Sequence, residues 1–353
     1  MKKWIGFVGL ILVFTVLTPA QSQNTILENN AASLKWNQIN TGNFRIIFPK
    51  GFESKAQHVA NMMEHAREPE AKSIGAPPRK ISILLQNQTT ISNGFVTVAP
   101  WRSEYFTMPS QDYNFLGTND WLTLLSSHEY RHMVQFQHAL RGFNRAVYYV
   151  FGQLGFGAMA FASAPLWFWE GDAVVAETAF TQSGRGRIPN FDMVFRMNLM
   201  EGRTFNYHKQ YLRSYKHQIP SHYVLGYHMV SYLRRKTDNP EIWSSVSKRA
   251  WTNSFVPFTF SNAIKKESGL YVTELYNEMA EELKSKWKDD LDNTELSEFE
   301  TVTQRSNSTY TDYKYAQSTH DGIIALKSGI GDIERFVLLK DGLETKVFTP
   351  GAG

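Results

Sequence analysis

The sequence predicts an α+β fold with an N-terminal mixed α/β lobe, a mainly helical lobe and a short all-β tail. Strand-like and helix-like segments alternate over residues 34–120, and helical patterns dominate residues 121–290. Four short strand-like runs then occupy residues 313–353. The chain has 353 residues, 42% of them apolar and 20% charged, which is enough to bury a core.

Residues 1–22 have the pattern of a signal peptide. Lys2 and Lys3 precede an uncharged, mainly apolar run from Trp4 to Leu17, and small residues follow at Thr18–Ala20. An N-terminal membrane anchor is the alternative, although the run is shorter than the ~20 residues that span a bilayer. We therefore expect an exported protein, either periplasmic, at the cell surface or secreted.

Composition excludes several kinds of site and partner. The chain has no cysteine, so disulfides, thiolate nucleophiles and thiolate metal ligands are ruled out. Its net charge of +4 is small and gives no basic surface typical of nucleic-acid binding. A metal could be held only by histidines and carboxylates, and the sequence does not fix the oligomeric state.

The N-terminal lobe, residues 34–120, combines strands with one helix. Short apolar runs predict strands at Phe44–Phe48, Lys80–Leu85 and Gly94–Val98. An amphipathic pattern predicts a helix over Lys55–Lys72.

The helical lobe, residues 121–290, has identifiable helix ends. Thr118, Asn119 and Asp120 offer N-cap residues for a helix that begins near Trp121. Gly269 is suited to a helix C-terminus, and Tyr271–Trp287 forms a charged amphipathic helix. The apolar stretch Ala146–Pro165 is interpreted as a helix flanking a cleft, with a membrane-dipping loop as the alternative.

A polar segment, residues 291–312, separates the helical lobe from the tail and is interpreted as a linker. Turn signals such as Asp341-Gly342 divide the tail into four strand-like runs. These runs are Tyr313–Gln317, Gly322–Lys327, Arg335–Leu339 and Lys346–Thr349. Four short strands match one blade of a β-propeller, here a partial repeat; a small β appendage on the helical lobe is the alternative.

The segment His128–His132 has the pattern H-E-x-x-H within a helical stretch. Residues four apart share one face of a helix, so both imidazoles can bind one ion. Glu129 is offset by about 100° from His128, where it can reach a water beside the ion. Two surface histidines would give the same spacing.

Glu170 follows a long stretch without charged residues. No Asp, Glu, Lys or Arg occurs from Ala146 to Trp169. A lone carboxylate next to such a stretch is costly to bury unless it is paired or bound to a metal. An exposed helix-initiating glutamate is the alternative.

Together these residues resemble the motifs of the gluzincin metallopeptidases. His128-Glu129-x-x-His132 is followed by Trp167-x-x-Glu170-Gly171-x-Ala173, as in the M1-like aminopeptidases and related bacterial families. The resemblance covers residues 34–290 and implies a zincin-like fold. It implies that His128, His132 and Glu170 bind zinc and that Glu129 is the general base. The tail resembles TolB-type propeller repeats.

Two further roles are implied by the same resemblance. Tyr223 stands first in a Y-x-x-G segment, where related enzymes place a hydroxyl that donates to the oxyanion. Tyr227 and His222 are substitutes for that role, and core packing is the alternative for Tyr223. Glu177, seven residues after Glu170 and on nearly the same helical face, would orient a zinc-binding histidine; an exposed polar position is its alternative.

The sequence also departs from the M1 pattern. The segment between the second histidine and Glu170, residues 133–169, is longer, and no Gly-x-Met-x-Asn loop precedes the zinc helix. Gly94–Val98 and Tyr105–Thr107 could supply the edge strand that pairs with an extended peptide. Without a carboxylate for a substrate amine, endopeptidase activity on peptides or proteins is the expectation.

The sequence therefore predicts an exported zinc-dependent endopeptidase. The competing hypothesis is a zinc-containing, non-catalytic binding or assembly protein that works through its propeller. Glu129 argues against that hypothesis, because a structural zinc site has no use for this carboxylate.

Overall fold

The computed structural model describes residues 30–214, 216–303, 310–330 and 332–351. The predicted signal peptide, residues 1–22, lies outside the described residues. Over the described part the protein is a mixed α+β structure, with an N-terminal sheet, a helical middle and a C-terminal antiparallel sheet.

The N-terminal sheet has five strands in the order β1-β2-β3-β5-β4. Its central pairs, β2 with β3 and β3 with β5, are parallel, whereas β1 and β4 pair antiparallel at the two edges. The strands are β1 (Trp36–Asn40), β2 (Phe44–Pro49), β3 (Ile81–Gln86), β4 (Gly94–Val98) and β5 (Trp101–Phe106).

Burial of alternate residues explains strands β2 and β3. Phe44 and Ile46 of β2 are buried, as are Ile81 and Ile83 of β3. Alternation puts these side chains on one face of the sheet. Helix α1 (Glu53–Ala71) connects the two strands and adds residues such as Met63 to the same core.

The sequence patterns did not predict β1, and of β5 they indicated only the C-terminal part, at Tyr105–Thr107. Strand β5 is polar in part, yet it lies inside the sheet between β3 and β4. Its Arg102 and Glu104 form an ion pair at 2.6 Å, and Gln86 donates to Glu104, so these polar groups are satisfied. Tyr105 and Phe106 therefore do not form the edge of the sheet; β4 does.

Eleven helices are described, together with a 3₁₀ turn at Arg185–Arg187. After α1 they are α2 (Tyr113–Leu116), α3 (Trp121–Ala139), α4 (Gly142–Ala162), α5 (Leu166–Phe180), α6 (Met193–Met200), α7 (Tyr207–Leu212), α8 (His222–Thr237), α9 (Ile242–Thr252), α10 (Thr259–Ser268) and α11 (Val272–Asp292). Of the three N-cap candidates, Asp120 caps α3 by accepting from the Thr123 amide. Gly269 ends α10 with φ 82°, as predicted.

Helix α3 is the central element. It is buried along almost its whole length, between α1 and the N-terminal sheet on one side and α5 on the other. A helix in this position presents side chains to every neighbouring element, so its polar residues must find partners inside the protein.

Helix α4 contains most of the apolar stretch Ala146–Pro165 and is broken at Gly152, whose φ is 70°. Among the described residues, no single helix is both long and apolar enough to span a bilayer. Helices α4 and α5 together are long and apolar enough for a bilayer span, but only as a pair. The two helices are bent by 88° relative to each other.

The C-terminal sheet is antiparallel, in the order β6-β7-β8-β9. Its strands are β6 (Thr311–Thr319), β7 (Gly322–Gly329), β8 (Asp332–Lys340) and β9 (Leu343–Phe348). The four predicted strands are therefore present. The boundaries at residues 290 and 313 and the propeller interpretation stay predictions.

Candidate metal centre

Three predicted ligands from two helices come together at one point. His128 and His132 lie one turn apart on α3, and Glu170 extends from α5. Nε2 of His128 is 3.2 Å from Nε2 of His132, and Oε2 of Glu170 is 3.5 Å from each of these nitrogens. The cluster can hold a metal ion.

The other ring nitrogens have partners that fix the orientation of each imidazole. Nδ1 of His128 lies 2.8 Å from Oε2 of Glu177, and Nδ1 of His132 lies 2.8 Å from Oε1 of Gln135. The oxygens of Glu177 and Gln135 accept, which favours the hydrogen on Nδ1 of each ring, although Nη2 of Arg185, a donor, also lies 2.8 Å from Nδ1 of His128. In the neutral rings the lone pairs of both Nε2 atoms then face the same space.

The spacing and chemistry of these atoms fit zinc. Metal bonds of 2.0–2.1 Å in tetrahedral geometry place ligand atoms about 3.3 Å apart. That value agrees with the separations of 3.2 and 3.5 Å. Oε2 of Glu170 is also buried and has no hydrogen-bond partner among the described residues, which is expected of an atom that faces a metal.

The electrostatics of the site favour a cation. Burial opposes charge on Glu170, but His132 and His128 outweigh it and hold its pKa well below the ordinary range. Burial and Arg185 oppose a proton on His128, but Glu170 and Glu177 outweigh them and raise its pKa to about 9. A metal ion can replace that proton, because both use the same ring nitrogen.

Glu129 faces the cleft beside the ligands. It is buried, and its Oε2 has no hydrogen-bond partner in the described part of the chain. Burial raises its pKa, although His132 and His128 partly offset this effect. Strand β4 passes directly over it: a Cβ on Gly94 would lie 3.1 Å from Oε1 of Glu129. A base at this position can contact a molecule bound along β4.

Tyr223, in the first turn of α8, also lines the cleft, with its ring centroid 6.1 Å from that of His128. Burial and the charge of Glu170 raise its pKa well above the ordinary value, so the hydroxyl keeps its proton and remains a donor. Tyr227 instead directs its hydroxyl to the Gly186 carbonyl at 3.4 Å, and His222 packs on Tyr211. The structure thus places Tyr223, rather than either substitute, in the cleft wall.

Glu177 is fully buried rather than exposed, and its main partner is Arg185. The guanidinium of Arg185 donates to both carboxylate oxygens, at 2.7 and 2.8 Å. Although burial opposes it, Arg185 and His128 lower the pKa of Glu177 to about 2. Arg185 also lies 4.8 Å from the centre of the Tyr223 ring. It therefore fixes both Glu177 and Tyr223.

Arg185 was not identified from the sequence. It lies in the polar 3₁₀ turn after α5, where an arginine ordinarily faces solvent. The one available signal was indirect: a buried Glu177 needs a cationic partner, and Arg185 and Arg187 are the first basic residues after it.

A second buried network joins α3, α5 and α8. Arg131 makes a two-point contact with Asp172, at 2.6 and 2.9 Å, and Arg234 adds a third bond at 3.0 Å. Gln135 donates to Asp172 and to the Trp169 carbonyl. Because Arg131 and Asp172 adjoin the ligands in sequence, this network fixes the two ligand-bearing helices relative to each other.

The cleft above the ligands has a volume of about 590 Å³. Gly94–Val96 of β4 lie along one side, and Phe136, Phe161 and Trp169 form an aromatic cluster in another part of the wall. Mixed apolar and polar lining of this kind is typical of a ligand-binding site.

Comparisons with known proteins give little further support. No protein-family model matches the chain, and no curated protein matches it. A solved structure described as an aminopeptidase N family protein from Idiomarina loihiensis is similar, with 15% sequence identity and a TM-score of 0.43. The similarity covers 70% of this chain but only 46% of that protein, so this chain spans less than half of its length. The functional conclusion therefore rests on the site geometry.

Proposed function

We propose that the protein is a zinc-dependent peptidase of the gluzincin type. The observation that supports this proposal is the convergence of His128, His132 and Glu170 on one point, with Glu129 beside it in an open cleft. When bound by these three residues, zinc supplies a Lewis acid that polarises a carbonyl and makes a water more acidic.

Glu129 acts as the general base and then as the general acid. Its carboxylate takes a proton from the water that attacks the peptide carbonyl carbon, and it returns that proton to the departing amine. Burial raises its pKa above that of an exposed glutamate, which makes the carboxylate a stronger base. The Tyr223 hydroxyl donates a hydrogen bond to the carbonyl oxygen as negative charge develops there.

Strand β4 supports a peptide as the substrate. It is the edge of the N-terminal sheet on the side of the cleft, so its outward backbone groups can pair with an extended chain. Its closeness to Glu129 would bring such a chain next to the base.

The carboxylates of the cleft favour an endopeptidase. Among the described residues that line it, these are Glu129, Glu170 and Glu177. The first two have the roles given above, and Glu177 is paired with Arg185 and His128. This set leaves no carboxylate to bind a free substrate amine.

We also propose export and a C-terminal propeller, both from the sequence.

Zinc content and turnover of casein, measured on the same samples, test this proposal. We expect one zinc per chain in the wild type, and loss of that zinc in His132→Ala. Glu129→Gln should retain zinc and lose nearly all turnover, because an amide cannot accept the proton of the water. Glu64→Gln, a substitution of the same type on α1, should have little effect on either measurement.

Two results would contradict the proposal. Full zinc occupancy in His132→Ala would show that the ligands are wrong. A zinc-loaded wild type that cleaves no peptide, indistinguishable from Glu129→Gln, would instead support the non-catalytic binding or assembly protein.

A further inference from the structure

The outer face of helix α4 exposes a continuous set of large apolar side chains. Tyr149, Val150 and Phe151 are consecutive and are 78%, 72% and 66% exposed. Leu154, one turn further along, is 76% exposed. Single exposed apolar residues are ordinary, but a run of three marks a surface that contacts something other than water.

Neighbouring elements extend this surface. Phe143 shares a helical face with Val150, seven residues later, and its ring lies 5.2 Å from the ring of Phe255. Asn144 and Ser254 form a hydrogen bond that holds the two segments together. We call this surface, made of Phe143, Tyr149, Val150, Phe151, Leu154 and Phe255, the apolar elbow.

The break at Gly152 shapes the elbow. Its φ of 70° is unfavourable for residues with a side chain, and a Cβ there would meet no atom within 4 Å. The interruption therefore projects into open space and is not required by packing against a neighbour. It turns the chain between Phe151 and Leu154, so the elbow forms a protrusion.

The two chain segments that form the elbow carry only basic charges. Neither residues 130–169 nor residues 242–266, which include the two segments that form it, contain an Asp or a Glu. Arg145 on α4 and Lys248 on α9 are exposed and have no ion pair among the described residues, whereas Arg249, next to Lys248, pairs with Glu267 of α10 at 3.0 Å. Helix α9 is joined to α4 through the Trp251 indole, which donates to the Ala160 carbonyl.

We propose that the apolar elbow is a membrane-docking surface that inserts into the interface of a bilayer containing anionic lipid. Aromatic and aliphatic side chains flanked by basic residues are suited to this environment, because the rings enter the boundary of the acyl chains while the cations contact the headgroups. A purely protein partner would need no excess of basic residues without acidic ones.

Docking would bring the cleft close to the membrane. The same helix contributes Phe161 to the cleft wall, where it packs against Phe136 and Trp169. The inference is independent of the peptidase proposal, because lipid binding by the elbow requires neither zinc nor turnover.

The absence of cysteine allows a local test on the full chain. Leu154→Cys, labelled with the environment-sensitive fluorophore NBD, places the only thiol-linked probe on the elbow. Leu343→Cys on β9 is the matched control, because Leu343 is 72% exposed but lies on the C-terminal sheet. A local probe also separates the elbow from the apolar N-terminal run, which could bind lipid by itself.

Vesicles of phosphatidylglycerol and phosphatidylcholine in equal amounts should shift the emission of the Leu154→Cys probe to the blue and increase it. The Leu343→Cys probe should change little. Val150→Cys gives a second elbow position if Leu154→Cys does not fold, as judged by circular dichroism.

Charge dependence is the second part of the test. Arg145→Gln and Lys248→Gln, each combined with the labelled Leu154→Cys, should raise the lipid concentration needed for half of the change by about fivefold each. Vesicles of phosphatidylcholine alone should bind more weakly, and added salt should weaken binding to the anionic vesicles.

Several results would overturn the proposal. One is an elbow probe that does not respond to vesicles, and another is an equal response from both probes. A third is an elbow probe whose emission is already that of an apolar environment without lipid. If this emission depends on protein concentration, a second copy of the chain covers the elbow. If it does not, another segment of the same chain covers it. Equal binding to neutral and anionic vesicles would refute the role of the basic residues.

Discussion

Gly171 of α5 and Gly226 of α8 lie in direct contact where the two helices cross. A Cβ on Gly171 would overlap the backbone of Gly226, and a Cβ on Gly226 would overlap the carbonyl oxygen of Trp167. This close approach places Tyr223, one turn before Gly226, beside Glu170, one residue before Gly171. The geometry of the candidate site therefore depends on two residues that have no side chain.

We expect Gly226→Ala to destabilise the protein by about 3 kcal/mol or more, because the added methyl group has no space. Helix propensity alone would predict stabilisation by about 1 kcal/mol, so the two effects differ in sign. Urea unfolding measures the difference. Gly42→Ala is the control, since a Cβ there meets nothing within 4 Å. Equal stability of both variants would show that the helices do not cross this closely.

Tyr223→Phe should lower kcat about 100-fold and leave zinc content nearly unchanged, because the lost hydroxyl is the proposed oxyanion donor and is not one of the three metal ligands. Tyr227→Phe is the matched control and should retain most activity, since its hydroxyl contacts the Gly186 carbonyl. Steady-state kinetics on one peptide substrate compare the two. The reverse result would assign the oxyanion role to Tyr227.

Glu177→Gln should weaken zinc binding about 10- to 100-fold, because the neutral amide holds His128 less firmly and leaves Arg185 without a counter-charge. Competition with a chelator measures the zinc affinity. Glu281→Gln, on the surface of α11, should leave the affinity unchanged. If Glu177→Gln binds zinc as tightly as the wild type, the contact between Glu177 and His128 does not contribute to the zinc affinity.

Glu70 should make stability fall as the pH rises. Burial raises its pKa to about 8 from an ordinary 4.5, despite the hydrogen bond from Ser127 and the nearby charge of Arg131. The folded state therefore binds this proton more tightly than the unfolded state. The stabilisation is complete below pH 4.5 and is lost as the pH rises towards 8, at up to about 1.4 kcal/mol per pH unit.

Glu70→Gln removes this titration. We expect its free energy of unfolding to depend less on pH between 4.5 and 8 and to exceed that of the wild type above pH 8. Urea unfolding at a series of pH values measures both curves. Parallel curves for the two proteins would show that Glu70 keeps an ordinary pKa.

Truncation after Asp292 tests the predicted domain boundary. The C-terminal sheet contains its own polar contacts, such as those of Glu344 with Lys327 and Tyr313, each at 2.8 Å. We therefore expect the shortened chain to keep its zinc affinity and nearly the same Tm. A fall of many degrees would show that the sheet belongs to the same folding unit as the metal site.

The sequence alone determined the features that depend on local geometry. The spacing of His128 and His132 specifies two imidazoles on one helical face, because a helix repeats every 3.6 residues. Asp120 and Gly269 marked helix ends through their own side chain and backbone preferences. The strands of the C-terminal sheet followed from short apolar runs between turn residues in the same way.

Only the tertiary structure decided which distant residues meet. The first part of strand β5 was missed because its polar Arg102 and Glu104 neutralise each other, which no periodic pattern shows. The partnership of Arg185 with Glu177, and the position of Tyr223 rather than Tyr227 in the cleft wall, depend on how α5, α8 and the 3₁₀ turn pack. The sequence shows which side chains are available. Contacts between distant segments determine which of these side chains share a site. Such contacts become stable only when the whole core assembles.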